Sequence, residues 1–305
     1  MDSTDSLRAF LNGLIDYAGL FPPAQLSLDN AVEEFAGHRQ SDHAWMLGRF
    51  ICPAARLDDL AGKISADTEA VGPFRLSLLG RGGATEGELA TNLAADSRDL
   101  LAFRSALGKQ ANVEVVEMKL PASATAVEAA GKWASEHGLR LFAELDHARD
   151  IEAQQNAIDA MTRRGDVGYK LRCGGVEASA FPSTRAVAEA ISACRDARVP
   201  MKFTAGLHHP VRHYNDSVKT KMHGFFNVFA GCIFADVNGA SIEQLDDVLS
   251  EEDASAFVFD EAMLRWREQQ VTPEQIAEAR RNFAISYGSC SFDEPCDDLT
   301  AMHLI

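Results

Sequence analysis

The sequence is short of cations. It has 29 lysines and arginines against 45 aspartates and glutamates, a formal net charge of -16. Nucleic-acid binding needs a basic footprint, so nucleic acid is not an expected partner, and neither is an anionic membrane surface. No apolar run approaches the ~20 residues that span a bilayer. The first residues, MDSTDSLRAF, show no basic stretch leading into an apolar core, so no secretory leader is expected. Six cysteines are spread along the chain without zinc-type CxxC pairs. That usage predicts reduced thiols in a cytoplasmic protein. Linkers, low-complexity tracts and repeats of 20–50 residues are also missing, which excludes solenoids and beads of small domains.

What is present is a rhythm. Hydrophobic residues make up 46% of the 305 positions, enough for one large core. Strand-like runs alternate with helical patterns. The runs are Leu14 to Ala18, Ala44 to Cys52, Phe74 to Leu79, Val113 to Leu120, Arg140 to Leu145, Val167 to Cys173, Met201 to Ala205 and Asn282 to Tyr287. Ser27, Thr85 with Glu88, and Ser183 are placed to cap the helices between them. Eight strands, each backed by a helix, predict a single (β/α)8 TIM barrel over residues 1–305. A doubly wound sheet is the second choice. The rhythm breaks at residues 211–281, where helical patterns at 223–235, 241 onward and 254–267 predict a helical elaboration after the seventh strand. A homo-oligomer is compatible with that extra segment.

Active sites of such barrels lie at the C-terminal ends of the strands. Strand alternation with period two selects the polar residues on one face there. The fourth strand offers Glu117 and Lys119, the fifth Glu144 and Asp146, the sixth Lys170 and Arg172, and the seventh Lys202 and Thr204. Two neighbouring lysines suit Schiff-base chemistry, because an amine attacks a carbonyl only when unprotonated. Lowering a lysine from ~10.4 to ~7 takes ~4–5 kcal/mol, which a second ammonium and burial can supply. Glu117 would move protons as the carbinolamine collapses. No cofactor is needed. The loops TAGLHH and SYGSCS place small residues at strand ends, where backbone N–H groups can cradle an anion. Arg49 is a further candidate for an anion.

These residues resemble the deoxyribose-phosphate aldolase family of class I aldolases. Ile15-Asp16 followed by Leu20 and Pro22 is similar to its first strand and turn, and Phe50-Ile51-Cys52-Pro53 to its second. Val116-Glu117-Met118 resembles the strand that carries a catalytic aspartate, with glutamate in its place. Tyr169-Lys170-Leu171 resembles the strand of the Schiff-base lysine. Met201 to Gly206 resembles that of the second lysine, with one glycine where the family has two. Ile285 to Ser291 is similar to the phosphate-binding strand end. The resemblance implies Lys170 as nucleophile, Lys202 as its pKa-lowering neighbour and Glu117 as proton-transfer group. It implies a small anionic carbonyl metabolite as substrate, held by Arg172, Gly206, Gly288, Ser289 and Ser291. Asp16, Arg49, Lys119, Glu144, Thr204, His208 and His209 complete the expected substrate-binding set.

His208-His209-Pro210 has no counterpart in that pattern. With Glu144 or Asp146, the two histidines could build a metal site for a metal-dependent lyase or hydrolase. A non-catalytic barrel that binds an anion is a third reading.

Overall fold

The computed structural model describes residues 3–64, 72–145 and 151–305. Eight strands form a closed barrel in chain order: β1 (Ile15–Tyr17), β2 (Leu47–Pro53), β3 (Phe74–Leu79), β4 (Ala111–Leu120), β5 (Arg140–Leu145), β6 (Val167–Arg172), β7 (Met201–Thr204) and β13 (Ala284–Ser289). The pairs β2–β3, β3–β4, β4–β5, β5–β6 and β7–β13 are parallel. The expected (β/α)8 barrel is the fold, and all eight expected runs are its strands. Helices surround it: α1 (Asp5–Leu11), α2 (Leu28–His38), α3 (Leu57–Ala61), α4 (Glu86–Leu107), α5 (Ala124–Glu136), α6 (Ile151–Arg164), α7 (Thr184–Asp196), α8 (Phe225–Asn238), α9 (Ile242–Leu249), α10 (Pro273–Asn282) and α11 (Asp293–Ala301). The predicted caps form. The side-chain oxygens of Ser27, Thr85 and Ser183 accept from the backbone N–H three residues on. Ser241 with Gln244 and Thr272 with Gln275 close full capping boxes.

The chain divides into two compact units. One comprises Asp16–Ala44 and Gly48–Lys170. Its strands β3, β4 and β5 pair over nearly their whole length, with one irregularity. Leu76 pairs with Val113, but Ser77 pairs with Val115, so Glu114 is an extra residue bulged out of β4.

The other unit comprises Met1–Ile15, Trp45–Leu47 and Leu171–Ile305. Its centre is α8, in which every residue from Phe225 to Ala235 is buried. A helix that is apolar all round must be covered on all sides. Burying each of Phe225, Phe226, Phe229 and Phe234 contributes about 1.5–3 kcal/mol. The segment 211–281 supplies much of the cover, and it is not the all-helical elaboration expected. It holds a hairpin of β8 (His213–Asn215) and β9 (Thr220–Met222), and a three-stranded antiparallel sheet of β10 (Val258–Phe259), β11 (Leu264–Trp266) and β12 (Gln269–Val271). Where a helix was expected over 254–267, Asp260 breaks the pattern. Its Oδ1 accepts from the N–H groups of Ala262 and Met263, at 2.8 Å each, and so turns β10 into β11. Phe257 and Phe259 then lie against Phe226, with ring centroids 5.8 and 5.1 Å apart.

Candidate active site

The inner faces of β3 to β6 gather one cluster of charged side chains. Alternation puts Glu117 and Lys119 on the inner face of β4, Phe142 and Glu144 on that of β5, and Gly168 and Lys170 on that of β6. Glu117 pairs in register with Phe142, and Phe142 with Gly168. The Lys170 ammonium lies 3.0 Å from Glu117 Oε2 and 3.2 Å from Glu144 Oε2. Lys170 is 6% exposed and Glu117 1%. Ser77, fully buried on β3, donates its hydroxyl proton to Glu117 Oε1 at 2.6 Å. Both oxygens of Glu117 are therefore held, one by Ser77 and one by Lys170.

The electrostatics differ from expectation. Burial alone would pull the Lys170 pKa down, but Glu117 and Glu144 outweigh it and hold the group above its ordinary value. The resting lysine is an ammonium clamped between carboxylates. Lys202 is fully buried in β7 of the other unit.

The remaining expected residues fall into three groups. Lys119 and Arg172 stand exposed at the C-terminal ends of β4 and β6, and Lys119 shares the inner face with Glu117. The glycine loop after β3 closes over β4: Gly80 N–H donates to the Glu117 carbonyl at 2.9 Å and Gly83 N–H to the Lys119 carbonyl at 3.2 Å. Gly82 has φ +64 and its Cβ position would lie 2.2 Å from the Lys119 oxygen, so only glycine fits.

Asp16 and Arg49 are not brought to Lys170. Glu117 pairs with Leu79, and Leu79 with Pro53. Arg49 is four residues earlier on β2, roughly 13 Å toward the N-terminal end. Asp16 Oδ1 accepts from Arg49 N–H at 2.6 Å, so it sits at the same low level. Both belong to the bottom of the barrel rather than the mouth. Asp146 lies outside the described residues.

In the second unit, Thr204 ends β7 and its carbonyl accepts from Cys173 N–H at 2.8 Å. Gly206 follows with φ +75, and its Cβ position meets Phe181 and Gly174 within 3.1 Å. His208 and His209 are tied to carboxylates. Their Nδ1 atoms lie 2.9 Å from Glu294 and 2.6 Å from Asp298, both on α11. The carbonyls of His209 and Pro210 accept from the first N–H groups of α8, at 3.0 and 2.8 Å. The LHHP stretch is a brace joining β7, α8 and α11. Gly288 and Ser289 end β13 and Ser291 follows it, and the serine oxygens accept within the turn. Ser289 takes Ser291 N–H at 3.4 Å, and Ser291 takes Glu294 N–H at 3.1 Å. Carboxylates Asp293 and Glu294 occupy the first turn of α11. That is a poor setting for phosphate.

Three participants were missed in the sequence: Ser77, Glu294 and Asp298. Ser77 had a signal, as a polar residue on the same strand face as Arg75. Glu294 and Asp298 had one too, since i,i+4 spacing puts both carboxylates on one helix face.

Of the ligands the metal reading named, Glu144 is paired with Lys170, and His208 and His209 are paired with α11. Among the described residues no group of three or more His, Cys, Asp or Glu is arranged to hold a metal ion. All six cysteines are free and buried, and burial pushes the Cys173 thiol up to about 12. The chain matches no family model and none of the curated proteins.

Proposed function

We propose that the chain is a Schiff-base lyase of the aldolase type, with Lys170 as the nucleophile and a small carbonyl compound as substrate. The observation that carries this reading is the buried Lys170 ammonium within 3.2 Å of two carboxylates on the inner face of the barrel. A lysine in such a place is costly unless its partners match it, and the match here is also a proton relay.

The neutral amine arises by transfer within the cluster rather than by repulsion from a second cation. The carboxylates favour the ammonium at rest, and Glu117 takes the proton from Nζ as the amine meets the carbonyl carbon. The amine then adds to the carbonyl carbon. Glu117, now a carboxylic acid, returns the proton to the carbinolamine hydroxyl, which leaves as water, and a protonated imine remains. In the cleavage direction a carboxylate takes the proton of the β-hydroxyl and the carbon–carbon bond breaks. Its electron pair passes into the enamine and an aldehyde leaves. Glu144 is the second carboxylate available for that proton. Ser77 keeps Glu117 aimed at Nζ.

Borohydride trapping with a panel of small aldehydes and ketones, read by peptide mass spectrometry, tests this. The expected result is a reduced adduct on Lys170 that vanishes in Lys170→Met. No adduct on Lys170 with any carbonyl compound would refute it.

A further inference from the structure

The bottom of the barrel gathers arginines in a protein that has few cations to spend. Arg49 on β2, Arg75 on β3 and Arg140 on β5 all lie at the N-terminal ends of their strands, and Arg49 pairs one step below Phe50, at the level of Arg75. Alternation places Arg75 on the face of Ser77, and Arg140 on the face of Phe142 and Glu144, so both point inward. The bulge at Glu114 turns one carboxylate to meet them.

That carboxylate is fully used. Its oxygens accept from Arg49 Nε at 2.9 Å, from Arg75 Nε and Nη2 at 2.8 and 3.0 Å, and from Asn112 Nδ2 at 3.3 Å. Asp16 receives Arg49 through its backbone N–H and, at 3.7 Å, through Nη1. Arg140 starts β5 beside this cluster, paired in register with Val115, the neighbour of Glu114. Its guanidinium lies over the Phe142 ring, 5.2 Å from the centroid. Among the described residues no carboxylate pairs with it. Burial, and then the nearby Arg49, both disfavour its charge. Arg39 brings a fourth positive charge near Arg75. Among the described residues three inward guanidinium groups face two carboxylates, and Arg140, which pairs with neither, is fixed by a strand and an aromatic ring.

We propose that the N-terminal end of β2–β5 is an anion-binding site, in which Arg140, with Arg49 and Arg75, takes a phosphoryl group. Planar guanidinium forks suit tetrahedral oxyanions, and a doubly charged one answers a cluster of like charges better than chloride does. Arg140 and Glu144 are four residues apart on one strand, roughly 13 Å. The site is therefore distinct from Lys170 and stands whether or not Lys170 forms a Schiff base.

The test uses the full chain and inorganic phosphate, titrated against sodium chloride at constant ionic strength. Melting temperature and isothermal calorimetry are the readouts. A saturable rise in melting temperature is expected in the native protein and in Lys170→Met. Phosphate affinity should fall at least tenfold in Arg140→Gln and less in Arg140→Lys. Arg75→Gln, at a more exposed position, should also weaken phosphate and serves if Arg140→Gln does not fold. A phosphate response equal in the native protein and in both glutamine variants, or one that chloride reproduces, would overturn the site.

Discussion

Lys170 carries high stakes for a single side chain, because its ammonium bridges Glu117 and Glu144. Lys170→Met keeps the volume and removes the cation. Breaking a buried pair by deleting one partner typically costs about 3–5 kcal/mol. The cost should depend on pH. In the variant, buried Glu117 and half-buried Glu144 lose the cation between them, and mutual repulsion raises their folded-state pKa values. The folded variant then binds more protons than the unfolded chain, so its stability rises as pH falls. Urea unfolding of both proteins at pH 8 and pH 5.5 should show the larger deficit at pH 8. Equal deficits would mean that the carboxylates are not coupled to Lys170. A second residue sets the acid limit. Burial pulls the His223 pKa from 6.5 to about 4, helped by Arg212 and opposed by its bond to the Pro182 carbonyl. The unfolded chain takes up that proton near 6.5 and the folded chain near 4. The stability of the neutral form is thus complete above 6.5 and is lost as pH falls toward 4, about 3 kcal/mol in all. His223→Gln keeps a donor for Pro182 and should flatten the pH dependence of stability over that window by one proton.

At the scale of elements, the segment after β7 shows what sequence periodicity could and could not reveal. The helix at 225–238 and the capping box of α9 were legible, since apolar runs and Ser-x-x-Gln are local signals. The hairpins β8–β9 and β11–β12 were not. Their turns need a residue in the left-handed region, where glycine or asparagine usually gives the turn away. Here Lys219 has φ 52 and Arg267 φ 47, so the turn residues read as ordinary surface charges. The LHHP brace was invisible for another reason, because its partners are on α8 and α11. Asn227 is the pin of that brace. Its Oδ1 accepts from Arg212 N–H at 2.9 Å, and its Nδ2 donates to the carbonyls of Val248 and Glu251 at 2.7 and 2.9 Å. One fully buried amide thus ties the loop after β7 to the end of α9. Asn227→Leu is nearly isosteric and strands three backbone groups, at about 1–3 kcal/mol each where they stay dry. A loss of about 3 kcal/mol or more is expected, with faster amide exchange at Arg212. Unchanged exchange there would show that the helix α8 holds the loop without the amide.

For the whole molecule, the barrel was readable because each strand repeats one signal, apolar residues alternating with polar ones between turn residues, and eight repeats exclude most other architectures. Strand parity also named Glu117, Glu144 and Lys170 correctly as one inner face. It could not give height along the barrel, and so Asp16 and Arg49 were expected at the mouth when they belong to the opposite end. It could not show a bulge either, although the bulge at Glu114 decides which carboxylate meets the arginines. The segment 211–281 looked like an addition to a finished barrel, and the packing argues otherwise. In the unit that holds it, Phe10 stacks edge-on to Phe226, Phe229 and Phe259, with centroids 5.6, 6.4 and 5.3 Å apart. Phe257 lies against Trp266, and the Trp266 ring carries Arg267 at 4.4 Å. The three-stranded sheet is thus the outer wall of the core around α8, and a helix apolar on every side requires such a wall. Replacing residues 254–271 by a short glycine-serine linker should expose Phe226 and the end of α1. Light scattering and dye binding are expected to report an aggregating protein with an exposed apolar surface. A shortened chain that stays monomeric, with the melting temperature of the full chain, would make the sheet a dispensable appendage and leave α8 without an explanation for its composition.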